Sequence, residues 1–432
     1  MAKLARTGRH EFFKSTVPMI IAYREALNSH PHSHFPRQRV IPLNRLETDS
    51  WELIAALIAA RSAAPLAHLR ELLGELLGQR HVYFAPSGRS AIARLLTLLP
   101  YPEVVVPAYT CTVVKDAAIA AGKRIIFVDA AKGGVNATAA EFEKEAKPGR
   151  ILIATHLFGI PTDIEAICQL AKERGCLTIE DAAAAFASER NGRHLGTFAD
   201  FGVYSFEHSK RLPAIRGGAI VVNNHQYFDP GKLENANPRS DHRSLPSKEL
   251  IFSLIHNAAT APWLYGRLVL PLQLKQYLSP TAGPFNHTQT AVLDDPAYSR
   301  EFHPYQAQLV VRMLGRRQQI RRHIAQLVSI YEKALRESSV ATFLPSERDD
   351  AALLRYPVAF PARPRAEVLR QALARGMYLE TNFEQLLPAV GERDRFPNAV
   401  WAAGNIILLP LYRSLSFDDA SGLAERVKGL TN

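Results

Sequence analysis

Between Val82 and Val222 the chain alternates short apolar runs with stretches whose apolar residues follow helical spacing. This rhythm predicts strands joined by helices, packed as a mostly parallel sheet that is covered on both faces. Two further helices are predicted before the first strand, at Trp51–Ala60 and Pro65–Leu77. The predicted strands are Val82–Phe84, Val104–Val106, Arg124–Val128, Ile151–Thr155, Leu177–Glu180, Phe201–Ser205 and Ala219–Val222.

The pattern changes after Asn224. Residues 224–300 place two polar, proline-containing stretches around an apolar region at about Leu250–Leu274, and we interpret this part as an insertion. A single long helix is predicted at Tyr305–Arg336. The chain then alternates strand and helix again, which predicts a small α/β unit from Tyr356–Phe360, Ala366–Arg375, Ile406–Leu409 and Phe417–Lys428.

We therefore expect an α/β protein in three parts. An N-terminal arm takes residues 1–50, and a large domain with a mostly parallel central sheet takes residues 51–300, including the insertion. The long helix and a small C-terminal α/β domain take residues 301–432. With 432 residues, of which 47% are hydrophobic, the chain can bury a sizeable core.

The charge and the apolar region limit the partners. A net charge of +11 favours anionic partners such as phosphates and nucleotides. No dense Lys/Arg block is interleaved with aromatic residues, so a nucleic-acid partner is not predicted. The apolar region at 250–274 contains His256, Pro262 and Arg267, which argues against a spanning helix. A buried or dimer-facing helix is the favoured interpretation, and association with a membrane surface is the alternative.

The cysteines and histidines suggest neither disulfides nor a metal site. The chain has three cysteines, Cys111, Cys168 and Cys176. A small, odd number argues against a disulfide framework and suits a reducing, cytoplasmic compartment. The histidines at 30, 32 and 34 are separated by Pro and Ser and have no acidic or Cys neighbour, so no metal is predicted.

The residues around Asp181 and Lys210 carry the chemistry. Asp181 ends one predicted strand, Ser205 ends another, and Lys210 and Gly217-Gly218 follow it. An acid, a hydroxyl, a lysine and a glycine pair are the parts that hold pyridoxal phosphate: the lysine forms a Schiff base and the acid pairs with the pyridinium nitrogen. The competing interpretations are a surface lysine after a strand and an Asp that caps a helix.

This segment resembles the DegT/DnrJ/EryC1/StrS family of sugar aminotransferases, which have the type I fold of pyridoxal-phosphate-dependent transferases. The family pattern is roughly E-D-A-A-Q-A, then S-F-x-x-x-K, then G-G. The chain keeps Glu180-Asp181-Ala182-Ala183, Ser205-Phe206, Lys210 and Gly217-Gly218, and departs at Ala184, where the family usually has Gln. Further matches extend the resemblance over roughly residues 82–427, except for 224–300.

The resemblance also implies a set of cofactor contacts. Ser87-Gly88-Arg89 resembles the phosphate-binding turn of the family, with Arg89 in place of Thr, and Ser205 matches a serine that reaches the same phosphate. Cys111 stands where a family aromatic stacks on the pyridine ring; an inert buried thiol is the equal alternative. The implied cofactor-binding residues are Ser87, Gly88, Arg89, Cys111, Asp181, Ala184, Ser205 and Lys210.

A homodimer is implied as well, but its usual cross-subunit contact is altered. In many relatives an Asn before a Gln-Ala pair reaches the phosphate in the partner subunit. Gln306-Ala307 aligns with that pair, whereas the Asn is missing and Ser299 or Arg300 is the candidate for its place.

The implied activity is that of a pyridoxal-phosphate-dependent aminotransferase. Its amino donor is expected to be glutamate, and its acceptor a keto sugar, nucleotide-linked and therefore anionic, used in polysaccharide or glycoconjugate biosynthesis. Lys210 would move the proton and Asp181 would keep the ring nitrogen protonated, so these two are the catalytic residues. Some relatives carry histidine in place of the lysine and catalyse dehydration. The alternative is a protein of the same fold that binds cofactor without turnover, suggested by Arg89, Cys111 and Ala184.

Overall fold

The computed structural model describes residues 40–46, 48, 50–59, 64–79, 81–224, 226, 229, 231–235, 247–272, 302–345 and 349–431. Most of the predicted arm, including the histidines at 30, 32 and 34, lies outside the described residues. Ser299 and Arg300 lie outside them too.

Strands account for three separate sheets. They are β1 Val82–Ala85, β2 Glu103–Pro107, β3 Arg124–Val128, β4 Arg150–Thr155, β5 Leu177–Asp181, β6 Glu189–Arg190, β7 Arg193–His194, β8 Phe201–Ser205, β9 Gly218–Val222, β10 Ala341–Thr342, β11 Asp349–Asp350, β12 Tyr356–Ala359 and β13 Ile407–Leu409. The seven strands predicted between Val82 and Val222 are all present and form one sheet, in the order β1-β9-β8-β5-β4-β2-β3.

The central sheet is mostly parallel, as predicted. Only β9 runs against the other six strands, since it pairs antiparallel with both β1 and β8. Both faces of the sheet are covered. Successive side chains of a strand point to opposite faces, and both sets are buried here. In β4, Ile151 and Ile153 enter one buried cluster, whereas Leu152 and Ala154 enter the other. Strands buried in this way read as continuous apolar runs, which is why the sequence shows them clearly.

Strand register brings several chain segments to one edge of the sheet. Thr155 at the end of β4 lies beside Asp181 at the end of β5. Ser205 at the end of β8 and Ala85 at the end of β1 both pair with Gly218, the first residue of β9. The carboxyl ends of these strands therefore form a common rim, where open α/β sheets bind their ligands.

Helices connect and flank these strands in the described part of the chain. They are α1 Ser50–Ala59, α2 Ala64–Leu77, α3 Gly88–Leu98, α4 Thr112–Ala120, α5 Ala139–Glu143, α6 Ile164–Arg174, α7 Gly231–Asn235, α8 Ser247–Ala259, α9 Pro262–Leu264, α10 Pro304–Gly315, α11 Arg317–Leu335, α12 Arg365–Ala374, α13 Pro397–Asn405 and α14 Phe417–Lys428. A π-helix, Tyr265–Val269, continues α9. Among the described residues, none of the helices combines the length and apolarity that a membrane crossing requires.

The long helix predicted at Tyr305–Arg336 is wrong in one respect, because the structure has two helices there. The break lies at Arg316, whose φ of −105° and ψ of 3° leave the helical region. The two halves pack on different partners: α10 lies against α1 and α2, whereas α11 lies against α14. Gly315 weakens the helix at this point, and the Arg316 side chain forms an ion pair with Glu52 of α1.

The C-terminal part builds a second, three-stranded sheet in the order β10-β12-β13. The sequence predicts β12 and β13 and the flanking helices α12 and α14, but misses β10 and α13. A short third sheet joins the two parts of the chain, because β11 pairs with β6 through Asp349↔Arg190 and Asp350↔Glu189. The domain limits drawn at residues 50 and 300 stay a prediction.

Candidate active site

Lys210 lies in the loop that connects β8 to β9. Backbone bonds fix this loop at its base, where the N–H of Phe206 donates to the carbonyl of Gly217 at 2.8 Å and that of Ala214 to Phe206 at 2.7 Å. At its tip the N–H of Lys210 donates to the carbonyl of Glu207 at 2.9 Å. The lysine is partly exposed, at the same rim of the sheet as Asp181.

Asp181 occupies the last position of β5. Its Oδ1 accepts a hydrogen bond from the N–H of Ala183 at 3.0 Å, and the residues that follow form turns rather than a helix, so Asp181 is not a helix cap. Burial raises the pKa of the Asp181 carboxyl, while the N–H of Ala183 and the positive charge of Lys210 oppose this shift. A cation placed against this carboxylate would therefore offset the cost of its burial.

Ser87 and Gly88 form a tight turn between β1 and α3. The Ser87 hydroxyl caps α3 by accepting the N–H of Ser90 at 3.1 Å. A Cβ atom on Gly218 would lie 2.7 Å from the carbonyl carbon of Ser87, and one on Gly88 would lie 3.0 Å from the Cβ of Ser205. Only glycine allows this approach, which brings the start of α3 and the Ser205 side chain together. Backbone N–H groups at a helix start beside a hydroxyl suit a phosphate.

Cys111 lies at the N-terminus of α4, next to the groups just described. Burial raises the pKa of the Cys111 thiol; Asp181 acts in the same direction, and Lys210 and Arg89 oppose it. These interactions place the predicted lysine, acid and arginine around one thiol. A thiol cannot stack as an aromatic ring does. The resemblance implies that the residue at this position packs on the face of the cofactor ring.

Ala184 brings no polar side chain to the site. The Ala184 carbonyl packs against Gly159, where a Cβ atom would lie 3.0 Å from the oxygen and 2.8 Å from the N–H nitrogen of Leu354. Ala184 therefore lies between the turn after β4 and a segment of the C-terminal part. Its methyl group offers packing alone at the position where the family usually has Gln.

Two buried hydroxyls beside this rim have no hydrogen-bond partner among the described residues: Thr110 and Thr155. Thr110 directly precedes Cys111 and is 1% exposed, and Thr155 ends β4 beside Asp181. Leaving a buried hydroxyl unpaired costs about 1–3 kcal/mol, and a polar ligand at this rim would relieve that cost.

Glu180 belongs to the motif around Asp181, and the motif alone gives it no role. In the structure its side chain joins several segments behind the site. Its fully buried carboxylate accepts from His156 Nε2 at 3.0 Å, from the N–H of Gly196 at 2.6 Å and from the N–H of Phe198 at 2.9 Å. His156 Nδ1 in turn accepts from the N–H of Thr162 at 3.0 Å. Both ring nitrogens of His156 are thus satisfied by hydrogen bonds within the core.

Three aromatic residues form a wall above the ends of β2 and β4. The Phe383 ring, from the C-terminal part, lies 5.8 Å from the Tyr109 ring and 5.5 Å from the Phe158 ring, measured between centroids. Phe158 and Phe383 both have positive φ values, 60° and 56°, which are costly for side chains of this size. No local sequence signal marks Phe383, because its partners are far away along the chain.

Arg211 ties the lysine loop to the C-terminal part. Its buried guanidinium donates to the carbonyl of Leu411 at 3.1 Å and to that of Leu353. The N–H of Leu354 donates to the carbonyl of Phe158 at 2.7 Å. The segment 353–354 therefore touches both the residue after Lys210 and the turn after β4, and it fixes one loop relative to the other.

The aligned Gln306 also holds the lysine loop. Its Nε2 donates to the carbonyl of Arg216 at 2.8 Å, and its Oε1 accepts from the N–H of His303 at 2.8 Å. Phe302, just before α10, stacks on Phe84 and tilts against Phe206. Through these contacts the start of α10, which follows residues 224–300, packs against the base of the lysine loop.

Taken as a whole, the chain has the type I fold of pyridoxal-phosphate-dependent transferases. The sugar aminotransferase CalS13 from Micromonospora echinospora superposes with a TM-score of 0.68 over 90% of this chain and 99% of that protein, at 19% identity. Residues 64–231 match the model of the DegT/DnrJ/EryC1/StrS aminotransferase family. The resemblance seen in the sequence is therefore confirmed where Asp181 and Lys210 lie.

Two curated relatives align with the same part of the chain. A UDP-N-acetyl-3-dehydro-alpha-D-glucosamine 3-aminotransferase of Acidithiobacillus ferrooxidans is 35% identical over 151 residues, which is 34% of this chain and 41% of that protein. A GDP-perosamine synthase of Escherichia coli O157:H7 is 30% identical over 169 residues, 38% of this chain and 46% of that protein. The chain spans less than half the length of each.

Proposed function

We propose that this protein is a pyridoxal-phosphate-dependent aminotransferase that transfers an amino group to a nucleotide-linked keto sugar. The observation that carries the proposal is the meeting of Lys210, Asp181 and the Ser87-Gly88 turn with Ser205 at one rim of the sheet. A carboxylate that burial disfavours, a phosphate-binding turn and two unpaired hydroxyls all fit a ligand with a cationic ring and an anionic end.

The fit assigns a role to each residue. When bound, pyridoxal phosphate supplies an electron sink for the charge that develops on the reacting carbon. The N–H groups at the start of α3, with Ser205, would hold the phosphate, and Arg89 would add positive charge there. Cys111 and Ala184 would contribute packing around the cofactor.

Asp181 and Lys210 perform the chemistry. The Asp181 carboxylate would accept a hydrogen bond from the protonated ring nitrogen and stabilise its positive charge, because an opposite charge at close range favours both ionised forms. The Lys210 Nζ would hold the cofactor, and its free amine would be the positioned general base and acid that moves a proton at the reacting carbon.

The substrate assignment rests on relatives and on charge. The two curated relatives are named for UDP- and GDP-linked sugars, and this chain has a net charge of +11 that favours a diphosphate. We propose glutamate as the donor, and a homodimer as the working form. The three cysteines are all free thiols, which agrees with a cytoplasmic location.

A second candidate is a protein that binds the cofactor without turnover. Cys111 and Ala184 favour it, because each replaces a side chain that contacts the cofactor in the family. The two candidates differ in whether the bound cofactor reacts with an amino donor.

The absorption spectrum of the purified protein with pyridoxal phosphate separates them. The visible band of the lysine-bound cofactor should form, vanish on addition of glutamate and return with a keto-sugar nucleotide. Lys210→Ala should abolish the band, and Lys172→Ala, on the exposed side of α6, should leave it unchanged. A Lys210-dependent band that no amino donor removes would favour binding without turnover. If no band depends on Lys210, the whole assignment fails.

A further inference from the structure

The insertion reaches the lysine loop through one histidine. His256 lies on α8, the first long helix of the insertion, and its ring meets the ring of His208 at a centroid distance of 5.5 Å and an interplanar angle of 66°. His208 is two residues before Lys210. An edge-on ring contact of this kind joins the insertion directly to the turn that carries the lysine.

Glu207 shapes that turn. Its Oε2 accepts from the N–H of Ser209 at 3.0 Å and from the Ser209 hydroxyl at 2.5 Å, while its Oε1 accepts from His208 Nδ1. Its backbone carbonyl accepts the N–H of Lys210 at 2.9 Å. One carboxylate therefore fixes the two residues between it and the lysine, and the position of His208 is coupled to the conformation of the whole turn.

Burial and neighbouring charges set the states of Glu207 and His256 at neutral pH. Burial opposes ionisation of Glu207, but His208, Ser209 and Lys210 outweigh it and lower the pKa of Glu207 to about 2. Burial, His208 and Arg45 lower the pKa of His256 to about 4, against the opposing charge of Glu207. His256 thus packs on His208 as an uncharged ring, and Glu207 stays ionised.

The helix that carries His256 is held independently of the loop. Asn257 Nδ2 donates to the carbonyl of Thr48 at 3.0 Å, Ser253 is buried, and α8 packs against α1. The described residues include no group of three His, Cys, Asp or Glu side chains arranged to hold a metal ion, so the cluster works by hydrogen bonds and packing. A ring on an anchored helix can fix the turn that packs on it.

We infer that His256 is a positioning residue for Lys210: through His208 and Glu207, the insertion holds the 207–210 turn in the conformation that presents the lysine amine. The inference rests on the proposed function, because it gives the insertion a role in the same site.

The test separates binding of the cofactor from its covalent attachment. Apo protein is mixed with pyridoxal phosphate in a stopped-flow instrument, and the growth of the visible band gives both the initial affinity and the rate of attachment to Lys210. His256→Ala should slow attachment about 10-fold, the effect of a modest misplacement, and change the initial affinity less than 2-fold, because the Ser87-Gly88 turn is intact. His256→Phe, which keeps a ring, should remain within 2-fold of wild type.

A control and a double-mutant cycle define the outcome. Ile251→Ala removes an exposed side chain of the same helix, and should leave the attachment rate unchanged. In a His208→Ala background, His256→Ala should have no further effect, since coupled residues are not additive. Should His256→Ala fail to fold, His256→Leu keeps a buried apolar side chain and lacks the ring.

Three results would overturn the inference: an unchanged attachment rate in the ring-less variants, an equal loss in Ile251→Ala, or full additivity with His208→Ala. If wild type attaches pyridoxal phosphate at Lys210 and the histidine variants do so equally fast, only the role of His256 fails. If wild type forms no Lys210-dependent band at all, the proposed function fails and this inference falls with it.

Discussion

The close approach of Gly218 to the Ser87-Gly88 turn yields a sharp prediction. In Gly218→Ala the new Cβ would lie 2.7 Å from the carbonyl carbon and oxygen of Ser87 and 2.8 Å from the nitrogen of Gly88. All three are backbone atoms, so no side chain can move aside to relieve the clash. The turn must shift away from β9, and the start of α3 shifts with it.

The size of the effect follows from this geometry. Overpacking a dense interior by one methyl group costs about 1–3 kcal/mol. Because the same turn holds the phosphate in the proposed site, a comparable loss in binding would raise the dissociation constant for pyridoxal phosphate about 5- to 150-fold. The melting temperature of the apo protein should fall by several degrees, since about 1 kcal/mol shifts it by ~2–4 °C in a large domain.

Two titrations measure this prediction: fluorescence or absorbance of the protein against pyridoxal phosphate, and thermal unfolding without it. Gly404→Ala is the matched control, because a Cβ there meets no atom within 4 Å and α13 should gain from the better helix former. If Gly218→Ala binds the cofactor as tightly as wild type, the turn is not the phosphate site. If it also unfolds at the wild-type temperature, the backbone approach itself is wrong.

Three further predictions address other parts of the site. Asp181→Asn should slow the reaction with glutamate at least 100-fold in single-turnover spectra, because the amide cannot stabilise a protonated ring nitrogen; a rate near wild type would remove Asp181 from the chemistry. Thr110→Val should raise the apo melting temperature and weaken cofactor binding, since a buried unpaired hydroxyl is removed; unchanged binding would show that no ligand meets Thr110. Because folding lowers the pKa of His256, protonation of this ring leaves the free energy of unfolding unaffected above pH 6.5 and reduces it as the pH falls from 6.5 towards about 4. His256→Phe should therefore flatten the dependence of the melting temperature on pH in that range; a dependence as steep as that of wild type would contradict the shift.

The sequence predicts the sheet and the main chemical residues because both depend on local signals. Each central strand is a short apolar run bounded by polar residues, and Asp181 and Ser205 directly end two of them. Parallel strands then bring these ends to one rim whatever the details of the loops. The positions of Ser87, Asp181, Ser205 and Lys210 follow from that rule, whereas their binding roles stay proposals.

What the sequence could not predict depends on contacts between distant segments. The periodicity of α10 runs on into α11 without a visible change, so the break at Arg316 appears only when the two halves find different partners. Phe383 reaches the site from the C-terminal part, and His256 reaches it from the insertion. Neither lies in a motif, and their roles come from packing rather than from residue type.

The direction of β9 has a consequence for the order in which the molecule assembles. β8 and β9 are neighbours in the sheet and run antiparallel, so the loop with Lys210 closes between segments that are near each other in the chain. β1, by contrast, joins β9 at the outer edge of the sheet after a long stretch of intervening sequence. Contacts between distant segments form late, because the entropy of closing the chain must be overcome first. The lysine loop can therefore form early, whereas its approach to the Ser87-Gly88 turn is completed only when β1 docks, so this rim of the sheet is finished late in folding.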